Sequence, residues 1–163
     1  MQETAAAIVE LDDLDRRILD QLQHDSALTN QELAARVHAS PPTCLRRVRR
    51  LVETGVIARQ VAILAPEKLG STLTAIVEVT LDVQAAESLD AFECSLVDEP
   101  AVLQCYRVSP GPDFVVVAQV RDMPAYHALV HRAFTAQANV RNVRTFFSVH
   151  RAKFETRIDV SAG

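Results

Sequence analysis

Four arginines crowd into five positions, Arg46, Arg47, Arg49 and Arg50, directly after the run Ser40-Pro41-Pro42-Thr43-Cys44-Leu45. Guanidinium groups hold phosphate oxygens, and a single arginine can engage guanine O6 and N7 together, while threonine meets a thymine methyl or a phosphate. From Arg36 to Arg59 there are six arginines (36, 46, 47, 49, 50 and 59) against Glu53 alone, a local +5 in a chain of net charge −4. Local charge rather than the total decides whether a polyanion can bind. Acids gather elsewhere, notably between Glu10 and Asp25.

Other chemistries find less support. His127 and His131 stand i, i+4 on an expected helix, a spacing able to hold a metal, but no glutamate follows His127, so a surface pair is the better reading. No nucleophile elbow, phosphate-binding glycine loop or dinucleotide fingerprint is present, and the chain has only 4 glycines. Neither a catalytic nor a metal site is expected, and the protein is read as a non-enzyme. Cys44, Cys94 and Cys105 are widely spaced and form no CxxC pair, which fits reduced packing residues, with a redox-sensing thiol as the lesser reading.

The elements that must position the basic run follow from caps and periodicity. Apolar residues at 11, 14, 18, 19 and 22 make one amphipathic helix over 11–23, capped by Asp12 or Asp13. Thr29 with Glu32 forms a capping-box pattern that opens a short helix to Val37. Ser40 followed by Pro41 opens a third helix, because proline at the first helical position loses no intrahelical bond, and Gly55 stops it. Three helices joined by short turns, the last of them basic, make a helix-turn-helix.

Past Gly55 the period changes. A strand is expected over 56–64, then a turn at 65–70, and a new unit from Ser71. That unit reads as strand 73–81, helix 85–97, strand 102–108, a loop through Ser109-Pro110-Gly111-Pro112, strand 114–120, helix 123–136 and strand 143–150. The order βαββαβ is ferredoxin-like: an antiparallel sheet with helices on one face, in an α+β protein. The expected domains are 1–64 and 65–163.

On a helical wheel Cys44, Val48, Leu51 and Val52 of the third helix face the other two helices, and the arginines turn away. Base reading is assigned to Pro42, Thr43 and Arg46, phosphate contact to Arg47, Arg49 and Arg50, with Ser40 at the opening of the helix beside them. Asn30 and Gln31 add phosphate contacts at the start of the second helix, where free N–H groups favour an anion. Arg46→Ala should then relax base preference and Arg50→Ala weaken all sequences alike. The competing reading is a solvated face in which Glu10, Asp12 or Glu53 pair with these arginines.

The chain resembles the Lrp/AsnC family, the leucine-responsive and asparagine-responsive type of regulators, over nearly its whole length. The resemblance is carried by Leu-Asp-Asp-Leu-Asp-Arg-Arg-Ile-Leu at 11–19, Glu-Leu-Ala at 32–34, Ser-Pro-Pro-Thr-Cys-Leu-Arg-Arg-Val-Arg-Arg-Leu at 40–51 and Gly-Val-Ile at 55–57. It continues in Ala-Pro-Glu-Lys-Leu-Gly at 65–70, the Asp113 loop, Asp-Met-Pro-Ala-Tyr at 122–126 and Val-Arg-Thr-Phe at 143–146. It implies a winged helix-turn-helix joined to a βαββαβ effector and oligomerisation domain. It further implies dimers, tetramers or octamers, and an amino acid or related metabolite bound between dimers. By the same resemblance the effector site comprises Val108, Ser109, Gly111, Asp113, Met123, Thr145, Phe146 and Ser148, with Asp113 suited to an ammonium group.

The family places glycine directly after the position of Ser109, where this chain has Pro110, then Gly111 and Pro112. Proline removes a donor and stiffens the loop. An amino acid bound differently, another metabolite, and no small molecule at all therefore remain as readings, and Asp113 reads equally as a turn residue tying its own loop.

The expected partners are double-stranded DNA and further copies of the chain, at least a homodimer, since one helix-turn-helix reads too few base pairs alone. The apolar strands 74–81 and 114–120 leave one sheet face for that contact. No cofactor beyond an amino-acid effector is expected. The apolar runs are far short of the roughly 20 residues that cross a bilayer, and the N-terminus lacks a signal-peptide pattern, so a cytoplasmic place is expected. The rival function is a metabolite-binding or scaffold protein without DNA binding.

Overall fold

The computed structural model describes residues 8–70 and 73–160. The start of the chain, on which the signal-peptide reading partly rests, and Ser71, where the second unit was expected to open, lie outside those residues. Two compact units result: one is Leu64–Ala152, and the other joins the N-terminal stretch through Ile63 to the chain from Lys153 onward. Assignment of everything after residue 64 to one domain is therefore corrected for the tail.

In the first unit α1 is Asp13–His24, α2 Asn30–Arg36 and α3 Pro41–Glu53. Each begins on a side chain that accepts a backbone N–H: Asp12 from Asp15, Thr29 from Glu32 and Ser40 from Thr43. These caps satisfy N–H groups that have no carbonyl within the helix. His38, at φ 54°, takes the left-handed turn after α2, and Ala39 N–H returns to the Ala34 carbonyl at 2.9 Å. Ile18, Leu19, Leu33, Ala34, Val37, Cys44 and Leu51 form the core, with Val48 against it. Val52 departs from the wheel and is half exposed.

No strand forms over 56–64 within one chain. Residues 56–57 lean on the helical core, but Val61, Ile63 and Leu64 are exposed. A strand needs a hydrogen-bonding neighbour, and no described residue supplies one. The tail instead returns to the helical unit. Arg16 Nη1 donates to the Val160 carbonyl at 2.7 Å, Gln23 Nε2 to the Ile158 carbonyl at 3.0 Å, and Ile158 N–H to Gln23 Oε1 at 2.8 Å. Ending the chain after Ala152 should therefore destabilise this unit by about 2 kcal/mol, from three bonds of ~0.5–1.5 kcal/mol each. Faster amide exchange in α1 would report it, and unchanged exchange would show the tail to be idle.

The second unit holds β1 Leu73–Leu81, α4 Ala86–Val97, β2 Val102–Arg107, β3 Phe114–Val120, α5 Met123–Val130 and β4 Val140–Phe147. The sheet is antiparallel in the order β2-β3-β1-β4. Along β1 and β3 every second residue is buried: Ala75, Val77, Val79 and Leu81, and Phe114, Val116, Ala118 and Val120, packed with Phe92, Leu96, Leu129 and Phe134. The alternate residues make the other face. After Val130 the helix widens into a π turn, His131–Thr135, rather than running as one α-helix to 136.

Strand β4 lies three residues earlier than the expected 143–150. A bulge at Thr80/Leu81 lets Val140 pair with Leu81, and Ser148 N–H to the Thr74 carbonyl at 2.9 Å is the last link to β1. The apolar count placed the strand where valine and phenylalanine are dense, but β1 has run out there.

Candidate nucleic-acid interface and effector half-sites

The basic helix divides into two sets of arginines. Arg46 and Arg49 are exposed and form no ion pair among the described residues. Arg47 and Arg50 are drawn back onto α1. Arg47 Nη1 donates to Asp12 Oδ2 at 2.6 Å and to Asp15 at 3.2 and 3.3 Å, and Arg50 Nη2 donates to Asp15 Oδ2 at 2.5 Å. Asp15 is 0% exposed, the only buried charged residue among those described. A buried charge persists only with partners, and these two guanidinium groups are the partners. Arg47 and Arg50, expected at phosphates, here pair with acids: Asp12 for Arg47, as the competing reading had it, and Asp15, not foreseen, for both.

The remaining residues of the face sit as follows. Pro42 is exposed and Thr43 half-buried at the opening of α3, where Ser40 Oγ donates to Thr43 Oγ1 at 2.8 Å. Ser40 is occupied as cap, and Thr43 Oγ1 accepts the Ser40 hydroxyl. Asn30 Nδ2 donates to the Pro41 carbonyl at 2.9 Å, so this amide first of all fixes the turn between α2 and α3. Gln31 is exposed beside it.

Capping also makes this unit sensitive to acid. The backbone N–H of Asp15, and then Arg47, hold the Asp12 carboxyl below the usual carboxylate range, and the Thr29 hydroxyl and N–H do so for Glu32. A depressed carboxyl contributes stability that is complete above its unfolded value and is lost as pH falls through the folded one. Melting temperatures of the helical unit should stay level from neutral pH to about 5 and fall below about pH 4. A flat profile down to pH 3 in circular dichroism melts would contradict this.

Within one chain the eight effector residues are spread along the sheet. Val108, Ser109, Gly111 and Asp113 surround the β2–β3 loop, at the end of the sheet where Phe114 pairs with Val79. Asp113 Oδ2 accepts the Leu81 N–H at 2.7 Å and its own N–H goes to the Val79 carbonyl at 2.9 Å, so the loop-tying reading is realised, while Oδ1 takes no hydrogen bond among the described residues. Gly111 has φ +127°, which a side chain would not tolerate, and Pro110 and Pro112 offer no N–H.

Met123 and Ser148 lie toward the opposite end, where Leu73 pairs with Val120 and Ser148 N–H reaches the Thr74 carbonyl, whereas Thr145 and Phe146 pair with Val77 and Ile76 midway along β1. Six residue steps of β1, from Val79 to Leu73, separate the two ends, about 20 Å at ~3.3 Å per residue, with Thr145 and Phe146 between them. The second group is itself split between faces. Thr145 bonds the Tyr126 hydroxyl on the helix side, whereas Phe146 lies on the open face under the Arg144 guanidinium, 4.7 Å from its ring centroid.

Burial raises the thiols of Cys44 and Cys105, so neither is prone to form a reactive thiolate. His127 and His131 are both exposed, and His127 meets the edge of the Tyr126 ring at 5.9 Å.

Comparison with known proteins decides what this arrangement belongs to. Residues 74–158 match the Lrp/AsnC ligand binding domain, and residues 11–58 match a winged helix-turn-helix DNA-binding domain. The chain belongs to the Lrp/AsnC family. It is 38% identical to the leucine-responsive regulatory protein of Rhizobium meliloti, over 93% of this chain and 97% of that one. With the leucine-responsive regulatory protein of Escherichia coli K12 the identity is 34%, over 91% of each. A transcriptional regulator from Neisseria meningitidis solved with L-Met superposes with a TM-score of 0.85 at 31% identity, covering 91% of this chain and 96% of that one. An AsnC family regulator from Agrobacterium tumefaciens gives 0.85 at 34%, with the same coverage. This Lrp/AsnC regulator thus carries the winged helix-turn-helix and α+β ligand-binding domain expected from its residues, and it binds DNA in regulating transcription. No described helix is long and apolar enough to cross a membrane.

Proposed function

We propose that the protein is a sequence-specific cytoplasmic regulator, without enzymatic activity, that reads base edges through Pro42, Thr43 and Arg46. Arg49 and Gln31 hold the flanking phosphates, with Asn30 fixing the turn beside them. The observation that carries this is the division of the basic helix: Arg46 and Arg49 stay exposed while Arg47 and Arg50 are bound to acids. Reading by one helix supplies only a few base pairs, so two copies acting on half-sites one helical turn apart, ~34 Å, are part of the proposal. Their contact is the open sheet face, where Ile76, Tyr106 and Phe146 are exposed. Selection of duplexes from a random pool by the full chain tests it. Recovery of a palindromic consensus is the expected result, and binding without any consensus would overturn it.

The effector is proposed to be an amino acid or a small relative of one, bound where the loop group of one copy meets the strand group of another. Asp113 Oδ1 is the acceptor offered to its ammonium group. The relative solved with L-Met supports this class of ligand, and the separation of the two groups within one chain supports a site between copies. Calorimetry with the common amino acids tests it: heat from one or a few that Asp113→Asn abolishes is expected, and silence from all would remove this class.

A further inference from the structure

We propose that Asp15 is a specificity-determining positioning residue, whose buried carboxylate withholds Arg50, and with Asp12 also Arg47, from the phosphate backbone. The inference rests on the DNA-reading face described above. Four α3 arginines are available, and an exposed arginine beside a recognition helix attaches to any phosphate, whatever the sequence. Such attachments strengthen binding to every sequence in proportion, so the discrimination that Asp15 supports comes through the seating of α3, which its two bonds hold. Asp15 acts from inside α1, on the same stripe as Leu11, Ile18, Leu19 and Leu22. It is fully buried, its Oδ2 also takes the Asp12 N–H at 3.2 Å, and it reaches both arginines.

Arg50 is held by the Asp15 carboxylate at Nη2 and by packing around its Nε. Its Nε is buried with no hydrogen-bond partner, and its only ion pair among the described residues is to Asp15. The side chain is 41% exposed nonetheless, so water and phosphate lie within its reach once the anchor is lost. Arg47 keeps Asp12 as a second acid and stays in place. Withholding also sets the rotation of α3 against α1, because the two bonds fall one turn apart on α3 and converge on a single side chain of α1.

The test uses the full chain, a duplex recovered by selection, and a random-sequence duplex of equal length, each titrated over a range of salt. Asp15→Asn keeps the volume and removes the charge. Expected are a several-fold rise in affinity for the random duplex, a salt slope steeper by about 0.9 per protomer, and a fall in the ratio of selected to random affinity as α3 loses its hold on α1. Adding Arg50→Gln to Asp15→Asn should restore the wild-type slope. A merely structural Asp15 would lower both affinities together without steepening the slope, and that outcome overturns the proposal.

If Asp15→Asn does not fold, Arg50→Gln alone decides. An unchanged slope supports the withheld arginine, and a slope flatter by about 0.9 shows that Arg50 contacts phosphate in the wild type and overturns it. Failure of the wild type to select any duplex is a separate result, which strikes the DNA-reading face and not Asp15.

Discussion

Arg46→Ala is expected to weaken binding to a selected duplex by about 30-fold or more, while leaving random DNA far less affected. A bidentate contact to a base contributes ~1–3 kcal/mol of discrimination, and its loss from both half-sites compounds. Arg46 is exposed and forms no ion pair among the described residues, so its removal should change stability by no more than ~0.5 kcal/mol. Lost affinity would then report lost recognition. Arg49→Ala should behave differently, weakening all sequences in proportion and flattening the salt slope by about 0.9 per protomer. Binding profiles measured on a set of single-base variants separate the two, and identical profiles for Arg46→Ala and Arg49→Ala would defeat the division of roles. Arg50, which its position on the wheel had marked for the uniform effect, is replaced in that part by Arg49.

That replacement shows where sequence reading stops. Helix starts were legible because Asp12, Thr29 and Ser40 are local devices, each working on a backbone N–H three residues ahead. Strands β1 and β3 were legible to the residue, since alternation over seven or nine positions admits one register. Asp15 was missed, although a signal existed. It stands four residues after Leu11 and three before Ile18, inside the apolar stripe of α1, and an acid there demands a cation from another element. The tail was beyond reach for a different reason. Its bonds join main chain at Ile158 and Val160 to side chains of Gln23 and Arg16 more than 130 residues away, and no periodicity encodes such a contact. The effector residues were placed by likeness alone, which said nothing of how they spread along one sheet and between its two faces.

Val117→Asp carries the other large expected effect, loss of the assembled regulator. Val117 sits on the open face of the central strand β3, paired across to Ile76 on β1 and Gln104 on β2. Around it Ile76, Tyr106 and Phe146 are 39%, 52% and 41% exposed, an apolar field on a sheet whose other face is closed by helices. If two copies meet there, an aspartate at its centre is buried without a cation, at a cost of several kcal/mol. A penalty of ~2.7 kcal/mol already raises the dissociation constant 100-fold. The single chain should tolerate the change, since Val117 lies on the face away from the core of Phe114, Val116 and Ala118. Sedimentation should therefore find monomers with a near-normal melting temperature. Affinity for a two-half-site duplex should fall with assembly, because each helix-turn-helix must then bind alone. Dimers that persist in Val117→Asp would move the contact elsewhere, and the exposed run Val61, Ile63 and Leu64, extended and without a strand partner in one chain, would be the surface left to carry it.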